Sequence, residues 1–508
     1  RGKLVVIDPR RTETAELASE FHFIRPGCDA AFLAAMLATL FEEGLTDTGR
    51  LGEHLQGWHE LEEWVKPFRP ERVAGFTGIE AEVTRRLTRE MAAAPSAVCY
   101  GRMGVSTQVY GTLCQWLLQL LNIATGNLDR PGGALFTKPA VDTLVGPPCK
   151  PGHFGVWHSR VSGLPEFSGE LPAVAMAEEM LTEGEKQIRA MITVAGNPVL
   201  STPNGPQLEK GLAGLDFMVS VDPYLNETTR FADIILPPTS PLEHDHFDLV
   251  FNLFAVRNTV KYSKATLPKP ADAQHDWEIF TALAERLAPK LGLDPPLSLP
   301  SPEIIVDMGL VAGPYGTGHK LDLNLTLLKQ NPHGLDLGPL QSSIPERLFT
   351  PDKKIHCLPP LLVDDLKRLA SDLDQPVDPT SLLLIGRRHL RSNNSWMHNY
   401  LPLVKGARRD QLWMHPDDLA ARALKDGQTV SVSSRTGTVQ VEVLATRALR
   451  AGVVSLPHGW GHHRQGTRLR VAQQYAGVSY NDLADERHID PVSGNAAVNG
   501  VPVEVGAV

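Results

Sequence analysis

The chain has 508 residues, 42% of them hydrophobic, and a formal net charge of −9. That length holds about three compact units with real cores and excludes wholesale disorder. The acid excess argues against a nucleic-acid binder, and the longest apolar run, around Leu113 to Ala124, is broken by Gln115, Gln119 and Asn122, so it reads as a buried helix and not a membrane span.

Residues 4–7 read as a buried strand that opens an α/β pattern. A domain rarely begins with a central strand of a parallel sheet, because its neighbours come from earlier sequence. The chain starts at Arg1 and so reads as the later part of a larger protein. Residues 12–19 and 21–24 and a turn at 25–29 follow. A helix is predicted over 30–43, with Phe32, Leu33, Met36, Leu37 and Leu40 on one face. A second strand is expected at 97–100, then a helix through Trp116 and Leu121 that Gly126, Asn127 and Pro131 stop. Residues 136–170 are rich in Gly, Pro and His and read as a long ordered loop or an insertion.

A βαβ unit resumes with strands at 191–194 and 217–221 around a helix at 207–212, spaced for a right-handed crossover in a parallel sheet. A short strand over 233–238 and an amphipathic helix over 277–287 come next. Residues 290–375 read as a Pro- and Leu-rich connecting segment. Beyond them, 430–432 and 439–443 alternate about a turn at 434–437, and 452–457 adds a strand. The expected fold class is α/β, with parallel-sheet (Rossmann-like) domains at 1–150 and 151–290. A connecting segment at 291–380 leads to a C-terminal β-barrel-like domain at 381–508.

Cys28, Cys99, Cys114, Cys149 and Cys357 show no C-x₂-C spacing and are odd in number, so they read as small buried hydrophobes. His244-Asp245-His246 and His462-His463 lack spaced partners and read as solvated, not as metal ligands. No G-x-G-x-x-G follows a strand and no P-loop is present, which argues against an NAD-type or NTP-hydrolysing enzyme.

Three loops do share a signature. Asp8, Pro9, Arg10, Arg11 and Thr12, then residues 195–198 with Asn197, then Val221 and Asp222 with 223–224, each follow an apolar strand at its carboxyl end. Ligands of open α/β sheets bind there; the plain alternative is that Asp-Pro and Asn-Pro are turn formers. After the strand at 382–385 comes Gly386, Arg387, Arg388, His389, Leu390, Arg391, Ser392, Asn393, Asn394, Ser395 and Trp396. Three arginines with amides and hydroxyls at this density suit a pyrophosphate.

These runs, together with Arg25-Pro26-Gly27-Cys28-Asp29-Ala30, Thr125-Gly126-Asn127, Asn226-Glu227-Thr228-Thr229 and Asn481-Asp482-Leu483, resemble the molybdopterin oxidoreductases of the dimethyl sulfoxide reductase superfamily. The resemblance covers nearly the whole chain except about 290–375. It implies a molybdenum (or tungsten) ion held by two molybdopterin guanine dinucleotides. Asp8 to Thr12 and Gly27, Cys28 and Asp29 would meet one dinucleotide, and Met103 and Thr107 a pterin. Asn197, Val221, Asp222, His244 and Asp276 would line the second half of the groove. Ile385 to Asn394, with Asn481 nearby, would hold pyrophosphate and pterin. The family's metal ligand and its [4Fe–4S] cysteines are expected upstream of this chain. The pattern looks most like the formate dehydrogenase and nitrate reductase branch, formate first and nitrate next. Arg160 is then the candidate for facing a small anionic substrate, or else it neutralises a nearby acid. A non-catalytic scaffold is the further alternative. An electron-transfer partner, no nucleic acid, no membrane span and a cytoplasmic location complete the expectation.

Overall fold

The computed structural model describes residues 2–144, 153–293, 300–375 and 380–508. Cys149 lies outside them.

The first unit is built on long helices. The helix Asp29–Glu42 carries apolar residues all round and is buried along almost its whole length. It packs on Gly111–Ala124 and Ala81–Ala93. Thr12 caps the short helix Glu13–Leu17 by accepting the Ala15 N–H, 3.2 Å. Among the described residues the opening strand Val5–Ile7 pairs in parallel with Glu20–His22 alone; it is half-buried, with Leu4 exposed. It is therefore not the buried central strand that its composition suggests.

Residues 97–100 form no strand, despite their apolar character. Two asparagines on the neighbouring helix end take the place of a ladder. Asn122 accepts the Cys99 N–H and donates to its carbonyl, both 2.9 Å, and Asn127 accepts the Ala97 N–H at 2.9 Å. These three backbone groups are satisfied without a partner strand.

The second unit holds the βαβ pattern. Strands Ala190–Val194, Phe217–Val221 and Ile234–Ile235 lie side by side, all parallel, with Gly205–Ala213 crossing over. Within the stretch expected as a loop, Phe154–His158 and Pro165–Phe167 make an antiparallel hairpin.

Residues 300–375 are not a plain connector. Pro302–Ala312 and Leu325–Gln330 join a small core with Val260 and Tyr262, and Leu335–Gly338 pairs with Asn258–Val260. Pro360–Asp372 sends Leu366 and Leu369 into the first core. Buried Asp129 pins this segment to the first unit: it pairs with Arg50 and accepts the N–H groups of Ser343 (2.9 Å) and Ile344 (2.8 Å).

The last unit is a closed six-stranded barrel. Its strand order is Leu382–Arg387, Val453–Pro457, Leu412–Met414, Thr438–Ala445, Thr429–Ser433 and Asn499–Ala507, which returns to the first. Alternating Val and Leu fill the interior. The first two strands run parallel, so the loops that follow them emerge at the same end. Among the described residues no helix is long and apolar enough to cross a membrane.

Candidate functional site

The loop after the first strand is docked on the barrel. Arg11 N–H donates to the Ala448 carbonyl at 2.7 Å and Arg450 N–H to that of Pro9 at 3.2 Å. Asp8 closes a turn by accepting the Arg10 N–H at 2.7 Å, and burial pushes its carboxyl above the usual range. Asp29, in the first turn of its helix, accepts a hydrogen bond from Gln108 Nε2 at 2.7 Å. Burial pushes its carboxyl up to about 6, and Asp8 adds to the shift. Gly27 turns the chain with φ 83°. The Cys28 thiol is directed at the Phe76 carbonyl, 3.3 Å, and burial pushes it up to about 12, which makes it a packing group. Cys99, Cys114 and Cys357 are likewise raised by burial.

Asn499 on the last strand bridges two predicted contacts. Its Nδ2 donates to Thr107 Oγ1 at 2.7 Å, and its Oδ1 accepts the Gly386 N–H at 3.3 Å. Met103, one helical turn before Thr107, is exposed.

The second unit brings Asn197 and Asp222 to the carboxyl ends of adjacent strands. The Ala195 N–H donates to the Val221 carbonyl, 2.9 Å, with Ala195 at φ 48°. Asp222 is 2% exposed, and burial pushes its carboxyl up to about 6 against the N–H groups of Tyr224 (2.7 Å) and Asn226 (3.3 Å). Asn197, Asp222, Tyr224 and Asn226 form one wall of a narrow open cleft; Ser395, Trp396, Asn399 and Leu469 of the barrel form the other. His244 and Asp276 stand farther along this unit, where His244 meets the ring of His275 edge to face at 6.0 Å.

The barrel loop divides its residues. Ile385 is in the barrel wall. The Arg387 side chain turns inward: it donates to the carbonyls of Ser455 (2.7 Å), Gln411 (2.7 Å) and Arg409 (3.3 Å) and stacks on Trp413, 4.3 Å from the ring centre. Burial pulls it down to about 9, so it stays charged at neutral pH. Its Nε is buried without a partner. His389 Nε2 is also unpartnered, and burial and then Arg387 pull that ring down to about 4. Arg388 bonds Asn394 Oδ1; Leu390 and Arg391 are exposed. Asn393 and Asn394 sit at φ 44° and 58°, a left-handed geometry that asparagine tolerates. Gly459 lies so close beneath that a Cβ there would stand 2.1 Å from the Asn394 carbonyl oxygen.

The two loop sets are joined across the units. Asn481 Nδ2 donates to the Leu200 carbonyl at 2.5 Å, and Arg464 pairs with Glu209 (2.7 Å) and Asp482 (2.6 Å). His462 is fully buried, not solvated, with Nδ1 2.9 Å from Glu227.

Two features of this lining test what it suits. Among the described residues, Arg25, Arg387, Arg388, Arg391, Arg409 and Arg450 form no ion pair with a carboxylate; Arg10 lies close enough to Arg387 to lower it, Arg25 lies close to Arg450, and Arg387 and Arg409 both face His389. Cations left unanswered in this way are matched to a polyanion. Buried carboxylates held near protonation, with Gln108 Oε1 left unpartnered, are matched to the N–H edges of a purine or pterin. A pterin nucleotide joined by pyrophosphate offers both.

Two family profiles cover the chain: "Molybdopterin oxidoreductase" over residues 2–286 and "Molydopterin dinucleotide binding domain" over residues 382–502. The chain belongs to the molybdopterin oxidoreductase family. Within it, the chain is 26% identical to a formate dehydrogenase alpha subunit of Methanocaldococcus jannaschii, over 90% of this chain and 67% of that one. It is 24% identical to the catalytic subunit of the assimilatory nitrate reductase of Bacillus subtilis, over 90% of this chain and 65% of that one. Formate dehydrogenase H of Escherichia coli is 30% identical over 56% of this chain and 41% of its own. The chain thus spans about two thirds of the length of the first two relatives. Acetylene hydratase of Pelobacter acetylenicus has the same fold, with a TM-score of 0.70 at 19% identity, over all of this chain and 74% of that one.

As a family member the chain is an oxidoreductase with a molybdopterin dinucleotide-binding domain. Of the predicted contacts, Asp8 lies close enough to Asp29 to raise its carboxyl, and Asn197 and Asp222 share the cleft with Ser395, Trp396 and Asn399, which follow the 386–394 loop. Arg160 does not join them. It donates to Glu179 Oε2 at 3.1 Å and to the carbonyls of Glu179 (3.3 Å) and Thr182 (2.7 Å), so its charge is answered within its own segment. Sequence reasoning missed Asn499, Gln108 and His398, noticed Glu227 only within the Asn226-Glu227-Thr228-Thr229 run, and read His462 as solvated; nothing local marks a residue whose partner lies far along the chain.

Proposed function

We propose that the protein binds two molybdopterin guanine dinucleotides around one molybdenum or tungsten ion and oxidises formate to carbon dioxide, releasing one proton and two electrons. The observation that carries the reading is the formate dehydrogenase alpha subunit of M. jannaschii, matched along 90% of this chain. The bound group supplies the two-electron acceptor. This chain's residues hold and orient it. Asp29 and Asp222 would accept N–H groups of the guanine and pterin rings. Arg388 and Arg391 would take the pyrophosphate, and the inward-turned Arg387 would add positive field from beneath. The arginine cluster also draws a small anion toward the cleft. The electrons pass to a partner protein, and the location is cytoplasmic.

The test is metal and guanine nucleotide content of anaerobically purified protein, followed by dye reduction with formate. A pair of guanine nucleotides, one metal ion and formate-dependent turnover are expected. Nitrate-dependent oxidation of reduced viologen without formate activity favours the second reading, nitrate reduction, which rests on the B. subtilis relative. Absence of both metal and nucleotide favours a scaffold and overturns the reading.

A further inference from the structure

A buried chain of polar side chains runs between the second unit and the barrel loop. Asn197 Nδ2 donates to Glu227 Oε2 at 2.7 Å. Glu227 Oε1 lies 2.9 Å from His462 Nδ1, His462 Nε2 lies 2.9 Å from His398 Nδ1, and His398 Nε2 lies 2.9 Å from Ser392 Oγ. Glu227, His462 and His398 are at most 1% exposed and Ser392 is 5% exposed. Trp460 stacks on His398 with ring centres 4.1 Å apart. One end is a wall of the cleft, at Asn197; the other is in the loop that follows the first barrel strand.

The proton order along this chain follows from its anchor. Burial opposes the charge on Glu227, but the hydrogen bonds from His462 and Asn197 hold its carboxyl below the usual range. A carboxylate only accepts, so His462 must carry its proton on Nδ1. With that as the ring's single proton, His462 Nε2 accepts from His398 Nδ1–H, and His398 Nε2 accepts from the Ser392 hydroxyl. Burial pulls His398 down to about 3, so it stays neutral. With its proton directed at His398, Ser392 keeps only lone pairs for a ligand.

We propose that Glu227 is a positioning residue for the dinucleotide-binding loop: through His462 and His398 it fixes Ser392 as a hydrogen-bond acceptor, matched to an N–H of the pterin or guanine rings and not to a phosphate oxygen. This rests on the pterin dinucleotide reading given above.

Glu227→Gln tests it without breaking a contact. The Gln Oε1 keeps the bond from Asn197, and the Gln Nε2 donates to His462 Nδ1. Both imidazoles must then change tautomer, and the Ser392 proton is released toward the ligand. Nitrogen-15 NMR of histidine-labelled protein reads the tautomers directly. Wild type is expected to show His398 protonated on Nδ1, and the variant on Nε2. Retained guanine nucleotide is expected to drop ~10-fold in the variant, the worth of one reversed hydrogen bond. In a Ser392→Ala background the same substitution is expected to change retention by less than about 2-fold, because the end of the chain is gone.

Wild-type His398 already protonated on Nε2, unmoved tautomers in Glu227→Gln, or an equal loss in the Ser392→Ala background each overturn the inference. If the variant does not fold, the wild-type spectrum alone decides. A wild-type protein without guanine nucleotide overturns the pterin reading instead, whereas a nucleotide-bearing protein with unmoved tautomers overturns only the role of Glu227.

Discussion

Asp222→Asn separates two effects of one carboxylate. The group is 2% exposed, and burial raises its carboxyl from 3.8 to about 6. The folded protein therefore holds a proton that the unfolded chain has already released between about pH 4 and pH 6, so stability falls as pH rises through that window. Below it the group is neutral in both states and contributes nothing. Above it, the charge lowers the stability of the fold by ~3 kcal/mol, about two pK steps. Asparagine keeps the shape and the bond from the Tyr224 N–H at 2.7 Å, but its amide nitrogen then faces the Asn226 Nδ2 donor in place of the oxygen that accepted it at 3.3 Å, a loss of ~1–2 kcal/mol. Cofactor-free Asp222→Asn is thus expected to be ~1–2 kcal/mol more stable than wild type near pH 7.5 and no more stable near pH 4.5. Nucleotide retention is expected to move the other way, by ~10- to 100-fold, because a charged acceptor is lost from the ring edge. Thermal unfolding at the two pH values and the release rate of guanine nucleotide measure both. A variant less stable than wild type at the higher pH, or one that retains nucleotide as well as wild type, refutes the reasoning.

Asp29, with its carboxyl also raised to about 6 by burial, adds a second loss of stability over the same window; an Asp29→Asn melting curve is expected to be flatter between about pH 4 and pH 6 than wild type's. Gly459→Ala forces a Cβ to within 2.1 Å of the Asn394 carbonyl; a destabilisation of ~2–4 kcal/mol, seen by denaturant unfolding, and loss of bound nucleotide are expected. Asn122→Ala strands the Cys99 N–H and carbonyl and is expected to cost ~2–4 kcal/mol in the same assay. Arg160→Ala leaves Glu179, 6% exposed, without its cation; a loss of ~1–3 kcal/mol of stability is expected, with KM for formate unchanged within about 2-fold, whereas a large rise in KM would restore Arg160 as the substrate contact.

The amino-acid order by itself determined whatever rests on local periodicity and on loops at strand ends. The helices Asp29–Glu42 and Gly111–Ala124, the parallel strands around Gly205–Ala213 and the hairpin Thr429–Ser433 with Thr438–Ala445 were all legible, because apolar spacing reports which face is buried. The loops carrying Asp8, Asn197, Asp222 and Arg387 were legible for a related reason: strand ends expose the backbone groups that bind ligands. Other features depended on partners far along the chain. Residues 97–100 have strand composition, but their hydrogen bonds go to Asn122 and Asn127. Residues 300–375 lack a clear period, yet they complete two cores whose other walls precede them by up to hundreds of residues. Arg387 and Arg160 carry the same charge, and only their surroundings decide that one donates to three carbonyls under the dinucleotide loop while the other neutralises Glu179. Barrel closure by Asn499–Ala507 on Leu382–Arg387, and the meeting of Glu227 with His462, belong to tertiary structure alone. A side chain's role is set by what packs around it, and that is distributed over the whole chain.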